Sequence, residues 1–252
     1  MGREPPETCI LRRMAPWTAT ALIALTVHAT APADNLGVDL PAQIERRLAT
    51  LREDPSRIDA RMALGRLYLT IEAFDAAEEQ YNAVLVAGGE DEAAAHYGLG
   101  LAHAGRERFD DAIREYNRSL AVDAKRALVH AAAASVYSHL HRYDEAIAAY
   151  RAALALAPAD AMARPQLGLV LAKVGQAEAA RAEQEAAVAA MPSLSEARQE
   201  LGALHLAAAR FDDAGREYRA ALALDPGLPQ AIYGLAQIAI RTGDTESARS
   251  LM

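Results

Sequence analysis

The sequence predicts an all-α chain, an α-solenoid of about six helix-turn-helix units behind an N-terminal capping helix. Three observations predict it. The amphipathic phrase FDDAIREYNRSL at 109–120 returns as YDEAIAAYRAAL at 143–154 and as FDDAGREYRAAL at 211–222. Aligning the alanine of each copy gives Ala77, Ala112, Ala146, Ala180, Ala214 and Ala248, spaced by 35, 34, 34, 34 and 34 residues. Prolines punctuate the same period, at Asp54-Pro55, Ala157-Pro158, Met191-Pro192 and Asp225-Pro226. A proline disfavours helical geometry in the residue before it, so each of these dipeptides ends one unit and opens the next.

The N-terminal elements come first. Arg12 and Arg13 precede an apolar, small-residue run from Ala19 to Ala29, and Ala29-Thr30-Ala31 fits a small-x-small cleavage site, so residues 1–31 read as a secretory signal peptide. An uncleaved segment anchored in the inner membrane is the alternative. The run is shorter than the roughly 20 apolar residues of a spanning helix, and threonines and His28 interrupt it. Residues 1–31 carry three arginines and two glutamates, so their loss moves the net charge from −8 to −9. Cys9, the single cysteine, lies within them, which excludes an internal disulfide and a cysteine metal cluster. Residues 32–56 form a linker and a capping helix. Pro41 stands near its start, and Ile44, Leu48 and Leu51 share one stripe.

The units then start near residues 58, 93, 127, 161, 195 and 229, the last being incomplete within 57–252. In the first helix of each unit, Leu64-Gly65 is followed by Tyr68, Leu99-Gly100 by His103, Ala133-Ala134 by Tyr137, Leu167-Gly168 by Leu171 and Leu201-Gly202 by His205. A spacing of four puts each pair on one face. In the second helix Phe74/Ala77/Tyr81, Phe109/Ala112/Tyr116, Tyr143/Ala146/Tyr150 and Phe211/Ala214/Tyr218 make a core-facing stripe at spacings of three and four. Glycine or alanine recurs where two helix backbones approach closely. Pro165, a turn inside the first helix of the fourth unit, predicts a late start or a bend there. Gly88-Gly89 and Gly105 read as helix-terminating glycines. At the far end Ile238, Leu251 and Met252 are expected to lie bare.

This combination of Leu-Gly, an aromatic, an alanine, a second aromatic and a terminal proline resembles the tetratricopeptide repeat over roughly residues 58–252. The resemblance implies a right-handed superhelix. Gly89 and Ala124 stand where terminal prolines are expected, and Ala177 and Gln184 stand where the fourth unit would carry aromatics, which makes that unit the softest.

The composition and motifs point away from chemistry. Basic residues, nearly all arginine, are scattered among acids in a chain of net charge −8, so nucleic acid is excluded as a partner and the arginine bias reads as compositional. His96, His103, His130 and His205 occupy positions where the family packs an aromatic, and His139 and His141 have no HExxH-like context, so no metal is assigned. The pairs Asp110-Asp111, Asp144-Glu145 and Asp212-Asp213 sit at helix starts, where they complement the helix dipole. No phosphate loop, nucleophile elbow or dinucleotide fingerprint occurs, so neither enzyme activity nor a cofactor is expected.

What remains is recognition. The resemblance implies that the first helices line a concave groove, which would be faced by Met62, Arg66, Leu69, Tyr97, Leu101, Leu128, Ser135, Ser138, Leu169, Lys173, Gln199, Tyr233, Gln237 and Arg241. Apolar, amide and cationic groups in one groove suit an extended or helical peptide. The expected function is a non-catalytic interaction scaffold or chaperone-like adaptor of the bacterial cell envelope, periplasmic or secreted, with a protein or peptide partner. A second reading makes the chain the repeat arm of a larger enzyme or regulator. A third is self-association through the C-terminal end.

Overall fold

The computed structural model describes residues 39–160 and 162–251. The signal-peptide reading of 1–31, the start of the linker, and the exposure expected of Leu251 and Met252 lie outside the described residues or side chains. Among the described residues the regular structure is entirely helical, thirteen helices, each packed on the next within each of two compact units. The chain divides into two compact units, the first ending at Leu140 and the second beginning at His141.

The first unit holds α1 (Leu40–Glu53), α2 (Ile58–Thr70), α3 (Phe74–Ala87), α4 (Glu92–Gly105), α5 (Phe109–Val122) and α6 (Ala127–His139). Each helix packs on the next, and α4 also touches α2 and α6 directly. The start of α1 is capped by Asp39, whose carboxylate accepts from the Ala42 N–H at 3.3 Å, and Pro41 sits in the first turn. Its stripe Ile44, Leu48 and Leu51 is half-buried as α1 packs on α2.

Glycine sets the spacing of these helices. A Cβ on Gly65 would stand 2.7 Å from the Tyr81 ring, and one on Gly98 only 2.3 Å from it. Tyr81 therefore lies between a glycine of its own hairpin and a glycine of the next. Tyr116 closes on Gly100 in the same way, at 2.3 Å. Burying a ring of this size contributes roughly 1.5–3 kcal/mol, and only a bare Cα leaves room for it.

The second unit holds α7 (Tyr143–Leu156), α8 (Ala163–Lys173), α9 (Ala177–Ala190), α10 (Ser195–Ala207), α11 (Phe211–Leu224), α12 (Pro229–Thr242) and α13 (Thr245–Leu251). Pro165 acts as expected. α8 has 11 residues where α2, α6 and α10 have 13, and it starts late at Ala163. Asp160 compensates by accepting from the Met162 and Ala163 N–H groups at 2.9 and 3.2 Å. Gln184 takes the place of the second-helix tyrosine against Gly168 and donates to the Pro165 carbonyl at 3.0 Å. The expectation that Ile238 is bare is corrected. It is half-buried beside Tyr218 and Leu206, and α13 packs on α12.

Two recurring devices were not foreseen. The turn inside each hairpin carries one residue in the left-handed region, at Glu72, Glu107, His141, Gly175, Ala209 and Gly243, with φ between 56° and 80°. Gly105 is thus not the terminating residue of its hairpin. It is the last residue of α4, and Glu107 makes the left-handed step. The second device explains part of the arginine content. Arg61, Arg164 and Arg198 each reach back to the carbonyl of Pro55, Pro158 or Pro192 at 2.8, 3.1 and 3.0 Å. Each also bonds across its hairpin, to Gln80, Glu183 or Glu217, at 3.3, 3.1 and 3.0 Å. His130 makes the equivalent backward bond to the Ala124 carbonyl at 3.1 Å. His96 makes the equivalent crossing bond to Glu115 at 2.7 Å. These clasps tie a hairpin to the turn that precedes it.

Candidate partner-binding face

The second helices carry the core stripe: Ala77, Tyr81, Ala112, Tyr116, Ala146, Tyr150, Ala214 and Tyr218 are all buried. The first helices α2, α4 and α6 of the first unit, and α10 and α12 of the second, pack side by side. Their remaining faces are where a partner can be met.

The fourteen residues assigned to this face divide sharply. Met62, Leu69, Tyr97, Leu101 and Gln199 are buried, so their side chains belong to the packing and are corrected out of the free surface. The reason is geometric. A first helix turns part of its inner face toward the first helix of the neighbouring hairpin, and the residues there become covered. Arg66, Lys173, Tyr233 and Arg241 are exposed, Leu128 is 37% exposed, and Ser135, Ser138, Leu169 and Gln237 are half-buried. In the first unit the reachable inner face is therefore Arg66, Leu128, Ser135 and Ser138. In the second it is Leu169, Lys173, Tyr233, Gln237 and Arg241. Ile240 was missed, although it is 57% exposed beside Arg241. Its signal was the period, because it stands 34 residues after Leu206, which α12 covers.

The polar groups behind these faces serve structure. His103 is buried with its Nδ1 unpartnered, 3.8 Å from a Glu78 oxygen, and burial holds its pKa below the ordinary histidine value. His205, at the matching place in the second unit, is also buried with an unpartnered Nδ1. The His139 ring packs on Phe109 with centroids 4.5 Å apart, and His141 bonds to the Tyr143 hydroxyl at 2.7 Å. The acidic pairs at helix starts hold arginines: Asp111 accepts from Arg108 at 2.8 Å and Glu145 from Arg142 at 2.9 Å, and these bonds lower both carboxyl pKa values. Glu200 behaves differently. Burial pushes its carboxyl up, against the opposing pull of a bond from Gln199 and the charge of Lys173.

The repeat seen in the packing matches a known family along most of the chain. Tetratricopeptide repeat profiles match residues 46–92, 62–128, 127–160 and 205–252. The chain belongs to the tetratricopeptide repeat family. Tetratricopeptide repeat proteins bind protein or peptide partners and are in general non-catalytic scaffolds. Among solved structures, the chain is similar to PilF of Pseudomonas aeruginosa, with 21% identity, a TM-score of 0.70, and 79% of this chain and 89% of that one covered. It is similar to YrrB, a tetratricopeptide repeat protein with an unusual peptide-binding site, at 19% identity and a TM-score of 0.61 over 75% of this chain and 97% of that one. MamA matches at 24% identity and a TM-score of 0.60, over 65% of this chain and 95% of that one. At these identities the likeness is one of fold. No curated protein sequence matches the chain. Among the described residues no helix is long and apolar enough to cross a membrane.

Proposed function

We propose that the chain is a non-catalytic interaction scaffold, a chaperone-like adaptor of the bacterial cell envelope, that holds a peptide or helix of a partner protein on the inner faces of its first helices. The observation that carries this reading is the division of labour within each hairpin. Second helices spend their tyrosines on the core, while first helices leave cations, amides and isolated apolar groups such as Arg66, Leu128, Gln237 and Tyr233 in contact with solvent. Sparse apolar anchors among polar groups suit a partner that arrives and leaves. The envelope location rests on the charged and apolar pattern of residues 1–31, with export followed by removal of that segment.

A photo-crosslinking amino acid placed at Leu128 or Gln237 should yield adducts with an envelope protein, whereas one at Asn117, exposed on the second helix α5, should not. Arg66→Glu should abolish the Leu128 adduct while circular dichroism stays unchanged. Equal adducts from all three positions would remove the inner face from the reading. Recovery of the chain with its first 31 residues intact, in the cytosolic fraction, would remove the location.

A further inference from the structure

One face of α12 is open. Gln230, Tyr233, Gln237 and Ile240 follow one another along it at spacings of three, four and three, so they form a single stripe, with Arg241 beside Ile240. Tyr233 and Ile240 are each 57% exposed, and Gln230 and Arg241 are exposed as well. α12 packs on α10, α11 and α13 through its other side, where Ala231, Gly234, Ala236 and Ala239 are buried. The chain itself shows what covers such a stripe. One period before Tyr233 and Ile240 stand Gln199 and Leu206 of α10, only 9% and 7% exposed, and the element packed there is a first helix, α12. A helix is therefore the kind of object that this seam accepts.

The stripe is also complementary to itself, in one direction only. Laid parallel, two copies of α12 would set Arg241 beside Arg241 and bring the negative helix ends together. Turned end for end about a two-fold axis near Gln237, the same two helices oppose their dipoles. Tyr233 of each copy then lies on Ile240 of the other, and the Arg241 guanidinium comes over that same ring. Arg241 takes part in no salt bridge among the described residues, so nothing there competes for it. Across the axis Gln237 meets Gln237, and an amide both donates and accepts.

We propose that the chain pairs with a second copy of itself through this stripe of α12, antiparallel and about a two-fold axis. The pairing goes beyond the partner reading and limits it. Tyr233, Gln237 and Arg241 also belong to the inner face of the second unit, so pairing and partner capture exclude one another there, while Arg66 and Leu128 of the first unit take no part. Two facing helices make a contact at the small end of specific interfaces, which sets the association at a dissociation constant on the order of 10 µM. Each copy carries a net charge of −8, or −9 without residues 1–31, and the seam is mainly apolar, so salt should screen the repulsion and strengthen the pair.

The test uses the chain from residue 32 onward, which keeps all thirteen helices and has no cysteine. Sedimentation velocity between roughly 1 and 200 µM should show the mass rising to that of a pair and no further. Raising salt from about 0.05 to about 0.5 M should tighten the pair several-fold. Tyr233→Glu and Ile240→Asp should each leave a monomer throughout the range with helicity and unfolding midpoint unchanged, and Arg241→Gln should loosen the pair several-fold. On oxidation Gln237→Cys, next to the axis, should bridge copy to copy. Gln230→Cys should not, because seven residues off the axis in each copy puts the two thiols about 20 Å apart. Bridging at both positions overturns the antiparallel pair, and a pair that salt loosens overturns the apolar seam. A monomer at every concentration, a mass that climbs beyond two copies, or a pair indifferent to Tyr233→Glu and Ile240→Asp overturns the proposal, and the Leu128 crosslink then still decides the partner reading by itself. A monomer whose Ile240, replaced by a photo-crosslinking amino acid, captures an envelope protein assigns the stripe to the partner and overturns the pairing.

Discussion

The hairpins α4–α5 and α8–α9 solve one packing problem in two ways. Both place a large residue of the second helix on a glycine of the first: Tyr116 on Gly100, and Gln184 on Gly168. Both of those side chains are shut off from water. The tyrosine closes its slot with a ring. The glutamine closes it with one hydrogen bond to the Pro165 carbonyl and leaves its own Oε1 unpartnered. The glycine is common to both because helix separation, and not the identity of the occupant, demands it. Each occupant leaves one polar atom unpaired, the Tyr116 hydroxyl and the Gln184 Oε1, so the difference is the apolar ring area of the tyrosine against the single bond of the glutamine, and the ring area contributes more.

Truncation should break the likeness most visibly. Tyr116→Ala should cost roughly 3–5 kcal/mol by denaturant unfolding, and Gln184→Ala about 1–3 kcal/mol. Equal losses would show that the two slots are equivalent after all. A smaller effect sharpens the comparison. Gly98 and Gly234 each meet the tyrosine of the preceding hairpin, Tyr81 and Tyr218, and the residue at the same repeat position after Gln184 is Glu200. Gln184→Tyr should therefore destabilise on its own and be rescued by Glu200→Gly, with a coupling of about 1–2 kcal/mol in a double-mutant cycle. Additive effects would separate the two positions.

The smallest effect concerns pH. Burial is the main cause that lowers the His103 pKa below its unfolded value of 6.5, with Glu78, Asp111 and Glu115 pulling it up and Arg108 pushing it down. Stability from the neutral ring is thus fully present above about 6.5 and is lost as pH falls through that value toward the folded pKa. His103→Tyr, which restores the aromatic found at Tyr68 and Tyr137, should flatten the thermal unfolding midpoint between pH 7.5 and pH 5. An unchanged acid slope would place the loss elsewhere.

The period of the alanines carried the hairpins, Pro41 and the stripe Ile44, Leu48 and Leu51 carried the capping helix, and Pro165 carried the short α8, because each follows from local geometry that the residue types impose. Pro165 shortens its helix wherever it is packed. Coverage is another matter. A spacing of four states which way Met62, Tyr97, Leu101 or Gln199 points, and it does not state that the next helix lies over it. The same limit hid the clasps: Arg61, Arg164 and Arg198 look like scattered charge until the proline turn six residues earlier is folded back beside them. The left-handed step at Glu107 was hidden by a nearby glycine that invites the eye first.

Those clasps also have a mechanical side. Under tension applied along the chain, a hairpin bound only by its flat contact with a neighbour peels away edge first, whereas one stitched to the preceding turn must shear its stitch before it yields. Arg198 stitches the hairpin that begins with α10, and the residue one period later, at the start of α12, is Ile232, which has no such reach. Within the second unit, stretching would therefore strip α12 and α13 before it disturbs α10 and α11.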